Sequence, residues 1–402
     1  MSLARAVVPR LELEAARIVV QNQIDLFTEK IWESPEKIIW TNMVMTTEIL
    51  YAADLIPVNI ELVAGWLGTL GLSSNCIATC ENLGFSPTLC SYHKAALGIC
   101  EKGGLPIPRG VVMSSHICDG AIGAAYHFAN RYDANTFILN LPYSKNDFNF
   151  RFVIQQYYRL IQWIEGYTGE KFSEEKLKKA LSLSNIAREY WIKACELRKG
   201  EPLFQGHLSL RNLFGTTFLF GSELGVEASR AYFEELCKLK NSLEGHLNVK
   251  SRKKRILWIH FAPLYANDIM RYLEEQLDCR IVFDITGYLY WSEHNVDKPV
   301  ESLANKALSH FYLGEASERM KLYHRLVEEY AADGIIHFMH NGCRAIPGSS
   351  WQIRRMADEL RLPYMELWGD CIDPRGFSSE QMMLRLEAFR EALGGCKSVS
   401  GH

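Results

Sequence analysis

The chain has 402 residues, of which 48% are hydrophobic and 23% charged, a composition close to the globular average that excludes wholesale disorder. Its 44 basic and 47 acidic residues give a formal net charge of −3, so no general basic field points to a nucleic acid or an anionic membrane as partner. Residues 1–10 lack the apolar segment of a secretory signal, and eleven cysteines are a poor disulfide framework. We therefore expect a cytoplasmic protein with reduced thiols.

The first part of the chain alternates helical and extended patterns. The expected elements are, in order, an amphipathic helix over 11–32, a strand over 38–41, a helix over 46–53, and strands over 110–113 and 137–142. The longest uncharged run, 62–80, contains three glycines, which suits turns and buried packing better than a membrane span. Strands that alternate with helices indicate βαβ units and a mainly parallel sheet.

The middle of the chain, 149–247, shows apolar residues at helical spacing and no strand pattern. The basic run 250–255 is interpreted as a solvated linker that enters a new strand, with a phosphate-binding patch as the alternative. The α/β rhythm then returns. Strands are expected over 256–261, 280–284, 334–339 and 364–367, and helices over 267–277, 316–331, 350–360 and 378–393.

These patterns predict an α/β protein with two parallel-sheet lobes of the Rossmann-like or flavodoxin-like kind. The predicted division is an N-terminal helical segment (1–35), a first α/β lobe (36–148), a helical section (149–249) and a second α/β lobe (250–402). Ligands of open α/β sheets bind outside the carboxyl ends of the strands. The loops that follow the predicted strands are therefore where we expect the functional site.

Three cysteines lie in such loops or close to them: Cys90 precedes a probable helix, and Cys118 and Cys343 each follow a strand. Soft thiolates from separate loops are suitable ligands for an iron–sulfur cluster between the lobes. A Cys₃His zinc site that uses His116 or His340 is one alternative, and buried packing of each thiol is another. The sequence contains no Walker A, G-x-G-x-x-G, H-E-x-x-H or G-x-S-x-G motif.

Five segments resemble motifs of the 2-hydroxyacyl-CoA dehydratase and benzoyl-CoA reductase family. They are Leu89-Cys-Ser-Tyr92, the pair Cys118-Asp119, Asn341-Gly-Cys-Arg344, the C-terminal signature 369–375 with 385–389, and the early segment 47–57. The order of the motifs agrees with that of the family, and the similarity spans roughly 40–393.

The resemblance implies a [4Fe–4S] cluster held by Cys90, Cys118 and Cys343 in the cleft between the lobes, with one iron that lacks a protein thiolate. It also implies a homologous second subunit, in a heterodimer or a homodimer, and an ATP-dependent activator protein that contains its own cluster. In the dehydratases a single electron reduces the thioester carbonyl of a 2-hydroxyacyl-CoA to a ketyl radical. The 2-hydroxyl then leaves, a β-proton is removed, and the electron is returned as the 2-enoyl-CoA forms.

Two other functions stay open at this point. The same family includes ATP-dependent aryl-CoA reductases, which add electrons to an aromatic thioester, and a non-catalytic scaffold stabilised by zinc or a cluster is the third candidate. By motif position, the resemblance places a catalytic, substrate-contacting glutamate at Glu61, but Met43 stands where the dehydratases carry a serine. Either the substrate differs or the chain is an electron-relay subunit. Cys371, in the C-terminal signature, is a possible fourth ligand.

Overall fold

A computed structural model describes residues 13–200, 206, 213, 215–243 and 253–395. It contains two parallel sheets of four strands each, which confirms the predicted α/β fold with two parallel-sheet lobes. The strands are β1 Ile38–Thr41, β2 Ile56–Asn59, β3 Gly110–Ser114, β4 Asn135–Leu139, β5 Lys254–Ile259, β6 Cys279–Asp284, β7 Gly334–His340 and β8 Tyr364–Gly369. The division of the chain into four ranges remains a prediction.

The two sheets have the same strand order. The first runs β2-β1-β3-β4 and the second β6-β5-β7-β8. Each sheet therefore has a topological switch point, where two adjacent central strands are followed by connections that lead in opposite directions along the sheet. It lies between β1 and β3 in the first sheet and between β5 and β7 in the second. The crevice beyond the carboxyl ends of two such strands is the usual ligand site of an open α/β sheet.

Helices cover both faces of each sheet. They are α1 Glu14–Asp25, α2 Glu48–Tyr51, α3 Ile60–Thr69, α4 Ser73–Asn82, α5 Ser91–Glu101, α6 Asp119–Tyr132, α7 Asp147–Thr168, α8 Glu174–Lys199, α9 Glu223–Leu243, α10 Ile269–Glu275, α11 Pro299–Leu308, α12 Ala316–Glu329, α13 Ser350–Glu359 and α14 Ser379–Gly395. Long helices in the middle of the chain agree with the prediction. Local sequence sets their ends: Ser173 caps α8 by accepting a hydrogen bond from the Lys176 N–H, at 3.3 Å.

Several elements differ from the sequence-based expectation. Strand β2 was not predicted because it is short and contains Pro57, which a sheet tolerates at an edge, and β2 is an edge strand. Helix α11 was also missed. The helix predicted over 46–53 is the single turn α2, and β4 begins two residues earlier than expected. The first helix, α1, continues through a wider π-helical turn, Leu26–Lys30.

One hydrophobic core runs through both lobes. It includes Trp40 and Phe128 of the first lobe together with Trp258 and Phe338 of the second, all at most 1% exposed. Tight packing of large rings against helices on the inner face of each sheet stabilises the two lobes as one unit. The lobes are therefore held at a fixed separation by side chains that contribute to a common core.

The uncharged run 62–80 falls in α3 and α4 and the turn that joins them. Across the ranges that the structure describes, no helix has the length and apolar character needed to cross a membrane. Residues 250–252 of the basic run lie outside those ranges. The run's last residue, Arg255, is buried in β5, where its guanidinium donates to the backbone oxygen of Tyr330 at 2.7 Å.

Candidate functional site

The three cysteines singled out in the sequence line one cavity, with a volume of about 160 Å³, between the two lobes. Cys118 lies between β3 and α6, Cys343 follows β7, and Cys90 immediately precedes α5. Burial raises the pKa of the Cys90 thiol, and the proximity of Cys343 and Cys118 raises it further. The fold thus brings together three thiols that lie in three widely separated parts of the sequence.

Backbone N–H groups lie close to all three sulfur atoms. The Cys118 Sγ accepts from the Gly120 N–H at 3.3 Å, and nearby backbone N–H groups lower the pKa of the Cys90 and Cys343 thiols against the larger effect of burial. Cys90 and Cys118 occupy the N-terminal caps of α5 and α6, where the helix dipole favours negative charge. Burial raises the pKa of each free thiol, but metal coordination deprotonates a thiol outright. The donor set therefore suits thiolate ligands of a cluster.

A single metal ion requires a tighter arrangement. Within the described part of the chain, no three His, Cys, Asp or Glu side chains are placed to hold one ion. Zinc would need all four ligands to converge at about 2.3 Å or less from one point. The described geometry therefore contains no ready-made Cys₃His site with His116 or His340, and that alternative stays a prediction; the three thiols line one cavity.

Glu61 enters the same cavity from the first turn of α3. Asn59 caps this helix by accepting from the Leu62 N–H at 2.8 Å, which fixes the start of the helix that carries Glu61. The Glu61 carboxylate accepts from the Met43 N–H at 3.1 Å and is 8% exposed. Burial raises its pKa to about 8, so at neutral pH the carboxyl group is mostly protonated.

Met43 contributes its backbone N–H to Glu61 and its side chain to the cavity wall. The apolar side chain that replaces the expected serine is thus part of the candidate site. The neighbouring Asn42 holds two loops together, because its amide donates to the backbone oxygens of Ser114 and His116 at 2.9 and 3.3 Å. The loops after β1 and β3 are therefore fixed relative to each other next to Cys118.

Neutral histidines contact two of the thiols. The His340 Nε2 lies 3.3 Å from the Cys90 Sγ, and its Nδ1 accepts from the Cys371 N–H at 3.1 Å. Burial lowers the pKa of His340, so the ring is neutral and carries its proton on Nε2, from which it donates to the sulfur. The His93 Nε2 lies 3.8 Å from the Cys118 Sγ, and burial lowers the pKa of His93 to about 4.

Aromatic side chains form part of the remaining cavity wall. They include Phe218, Phe261, Tyr288, Tyr290, Trp291, Phe311 and Tyr312. His116 and His310 meet there with ring nitrogens 3.2 Å apart, and burial lowers the pKa of both. Sequence reasoning missed His310 because its partner is 194 residues away and no local pattern marks such a contact.

A buried ion pair supports this wall. The Lys306 ammonium lies 2.6 Å from the Glu48 carboxylate, which is completely buried and also accepts from the Ser184 hydroxyl at 2.8 Å. The ammonium of Lys306 also lies 4.1 Å from the centre of the Trp291 ring. The pair joins α2 of the first lobe to α11, and it could not be recognised in the sequence because the partners are 258 residues apart.

The remaining cysteines near the site are core residues. Cys76, Cys80 and Cys100 pack among apolar side chains and are at most 8% exposed. Cys371 is fully buried beside Tyr92, near enough to Cys90 and Cys343 for both to raise its pKa. A role for Cys371 as a fourth ligand stays a prediction.

The chain resembles known proteins along most of its length. The sequence profile of the family described as 2-hydroxyglutaryl-CoA dehydratase, D-component, matches residues 42–393. The chain is 22% identical to the (R)-phenyllactyl-CoA dehydratase alpha subunit of Clostridium sporogenes, with 90% of each chain covered. It is 22% identical to the (R)-2-hydroxyisocaproyl-CoA dehydratase alpha subunit of Clostridioides difficile, over 97% of this chain and 98% of that one. It is also 24% identical to a subunit of the benzoyl-CoA reductase of Thauera aromatica, with 89% of each chain covered.

Proposed function

The chain belongs to the 2-hydroxyglutaryl-CoA dehydratase, D-component, family, and on that premise we propose that it is the iron–sulfur subunit of a 2-hydroxyacyl-CoA dehydratase. The observation that carries the proposal is the shared cavity of Cys90, Cys118, Cys343 and Glu61. The three thiols would hold a [4Fe–4S] cluster in that cavity. When bound, such a cluster supplies single electrons to the substrate and an iron that acts as a Lewis acid.

The protein's own groups prepare the cavity for this charge. The Gly120 N–H at the cap of α6 donates to the Cys118 sulfur, and the Nε2 proton of His340 points at the Cys90 sulfur. Such hydrogen bonds stabilise the anionic sulfur atoms and raise the reduction potential of a cluster. Because His93 and His340 are neutral, these contacts add no further positive charge.

Glu61 is the proposed catalytic acid and base. A carboxyl group with a pKa of about 8 can accept and release a proton near neutral pH, as a group that removes a β-proton and passes it on must do. The Met43 N–H holds one carboxylate oxygen in place. The second oxygen of the same carboxyl group can then be directed at the substrate.

The lining of the cavity favours an uncharged acyl group. Eight Phe, Tyr and Trp side chains are among the described lining residues, and they would exclude water from the reacting carbon atoms. The one lysine or arginine among the described lining residues is Lys306, which already bonds the Glu48 carboxylate. An aromatic or branched aliphatic acyl chain is therefore a better fit than one with a second carboxylate.

The proposal includes partners. Each relative named above is one subunit of its enzyme, and two of them are alpha subunits, so we expect this chain to act with a second subunit. An ATP-dependent activator with its own cluster would supply the priming electron, and the 2-hydroxyacyl-CoA thioester is the substrate. ATP is then required to start the reaction and not for each turnover.

The first experiment is anaerobic purification of the chain together with whatever subunit accompanies it. About four iron atoms per chain are expected, together with the brown absorbance of a cluster that fades in air. Cys118→Ala and Cys343→Ala should each lower the iron content, because each removes a thiolate ligand. Cys237→Ala, at a half-buried cysteine on α9, is the matched control and should retain its iron. Full iron content in the first two variants would refute the assignment.

The second candidate is a subunit of an ATP-dependent aryl-CoA reductase. Two points favour it: the sequence identity to a benzoyl-CoA reductase subunit, 24%, is as high as the 22% identity to a dehydratase subunit, and by motif position Met43 stands where the resemblance places the dehydratase serine. Product analysis with ATP accounting separates the two. Net reduction of an aromatic thioester, with ATP consumed in every turnover, would favour the reductase.

A further inference from the structure

A second cavity adjoins the first. Its volume is about 260 Å³, and it lies between α1, the carboxyl ends of β1 and β2, and the segment around Phe218. Thr47 and Phe218 line both cavities. The Thr47 hydroxyl donates to the backbone oxygen of Phe218 at 3.2 Å, so these two residues form the boundary between the cavities.

Three buried polar atoms around this second cavity have no hydrogen-bond partner in the described part of the chain. They are Gln23 Oε1, Thr41 Oγ1 and Asn59 Nδ2. The three side chains line the cavity and are only 3%, 1% and 6% exposed. Buried polar atoms are normally paired because desolvation without a partner is costly. Three of them around one cavity indicate a polar ligand.

The fold places these groups on two sides of the cavity. Thr41 and Asn59 are register partners at the carboxyl ends of β1 and β2, where ligands of parallel sheets bind. The Asn59 Oδ1 already accepts from the Leu62 N–H, which leaves the amide nitrogen as a donor without a partner among the described residues. Gln23 projects from α1 on the other side of the cavity.

These atoms match an uncharged, amide-containing chain. Asn59 offers a donor, Gln23 an acceptor, and the Thr41 hydroxyl can act as either. The volume is several times the roughly 30 Å³ that one water molecule occupies in the liquid. At the rim, the exposed side chain of Lys30 adds a positive charge that suits a phosphate group.

We propose that this cavity binds the pantetheine arm of the coenzyme A thioester, with its amides paired to Gln23, Thr41 and Asn59. The inference rests on the proposed function, which supplies the thioester. Asn59 and Glu61 are two residues apart at the start of α3, so an arm held at Asn59 brings its sulfur end to the Thr47–Phe218 boundary and the acyl group to Glu61. The nucleotide end lies outside, near Lys30.

The test is calorimetric titration of the anaerobically purified complex with D-pantetheine and with coenzyme A. Thr41→Val replaces a hydroxyl by a methyl group of similar size and should weaken both Kd values by about five- to tenfold, the effect of one lost hydrogen bond. Gln23→Met should act in the same way if Thr41→Val does not fold. Thr46→Val is the matched control, since Thr46 is equally buried but bonds the Tyr157 hydroxyl at 2.7 Å and lines neither cavity. It should bind both probes like the unaltered protein.

The outcomes separate this inference from the function on which it rests. Suppose that Thr41→Val and Gln23→Met bind both probes with unchanged Kd, while the iron-loaded complex still dehydrates a 2-hydroxyacyl-CoA. The inference about the cavity is then wrong, and the proposed function stands. If both variants lose affinity and the complex carries no iron, the pantetheine site stands and the proposed function fails. Equal weakening by Thr46→Val would also overturn the inference.

Discussion

The buried Glu61 carboxyl group makes a quantitative prediction about stability. Its pKa is raised from 4.5 to about 8 because burial disfavours the charged form. Between these two values the folded protein holds one more proton than the unfolded chain, so the free energy of unfolding falls as pH rises. Each pKa unit corresponds to about 1.4 kcal/mol, which gives a total loss of about 5 kcal/mol above pH 8.

The substitution Glu61→Gln removes this titration and keeps the size of the side chain. Between pH 6 and pH 9 the unaltered protein should lose about 2 to 3 kcal/mol relative to Glu61→Gln, which is the part of the total that falls in this window. Anaerobic denaturant unfolding at both pH values measures the difference. Glu175→Gln, at an exposed carboxylate on α8 (84% exposed), is the control and should follow the unaltered protein. Parallel stability curves for the unaltered protein and Glu61→Gln would refute the assignment of a neutral, buried carboxyl group.

Two further predictions concern the scaffold around the site. Lys306→Met should destabilise the protein by about 3 to 5 kcal/mol, because it leaves the Glu48 carboxylate buried without the lysine ammonium. The double variant Lys306→Met with Glu48→Gln should recover most of this loss in the same unfolding assay. If the double variant is as unstable as Lys306→Met, the two side chains do not act as a pair. Gly98→Ala should destabilise by at least about 1 to 3 kcal/mol, because a Cβ atom there would lie 1.9 Å from the Cys76 carbonyl oxygen. The control Gly123→Ala, on the open face of α6, should stabilise the protein by about 0.5 to 1 kcal/mol. If Gly98→Ala and Gly123→Ala change the melting temperature by similar amounts, the close packing of α4 against α5 is contradicted.

Much of the fold was readable because the central strands are apolar runs. All four strands of the second sheet and three of the first were predicted within a few residues. The central strands β1, β3, β5 and β7 are buried along almost their whole length, as expected for strands covered on both faces. The edge strand β2 escaped because Pro57 argues against a strand wherever the position in the sheet is unknown. The position of a strand within a sheet depends on long-range packing, which single-sequence patterns do not contain.

The candidate site was only partly predictable, for the same reason. Cysteines next to strand ends can be recognised locally, and the structure brings Cys90, Cys118 and Cys343 to one cavity. The contacts of His310 with His116 and of Lys306 with Glu48 join parts of the chain that lie far apart. Their side chains are ordinary helix or loop residues in sequence, and only the folded arrangement makes them part of the wall.

The common core of the two lobes affects how an electron would be exchanged here. Cys118 follows a strand of one sheet and Cys343 a strand of the other, yet Trp40 and Trp258 are packed into the same apolar interior. Swinging the lobes apart would expose that interior at about 25 cal/mol per Å², so the thiols cannot separate by a hinge motion at low cost. Under the proposed function, a cluster bound between these thiols would change charge in a preorganised frame that needs little rearrangement. Such a frame would suit a reaction that lends an electron to its substrate and then takes it back.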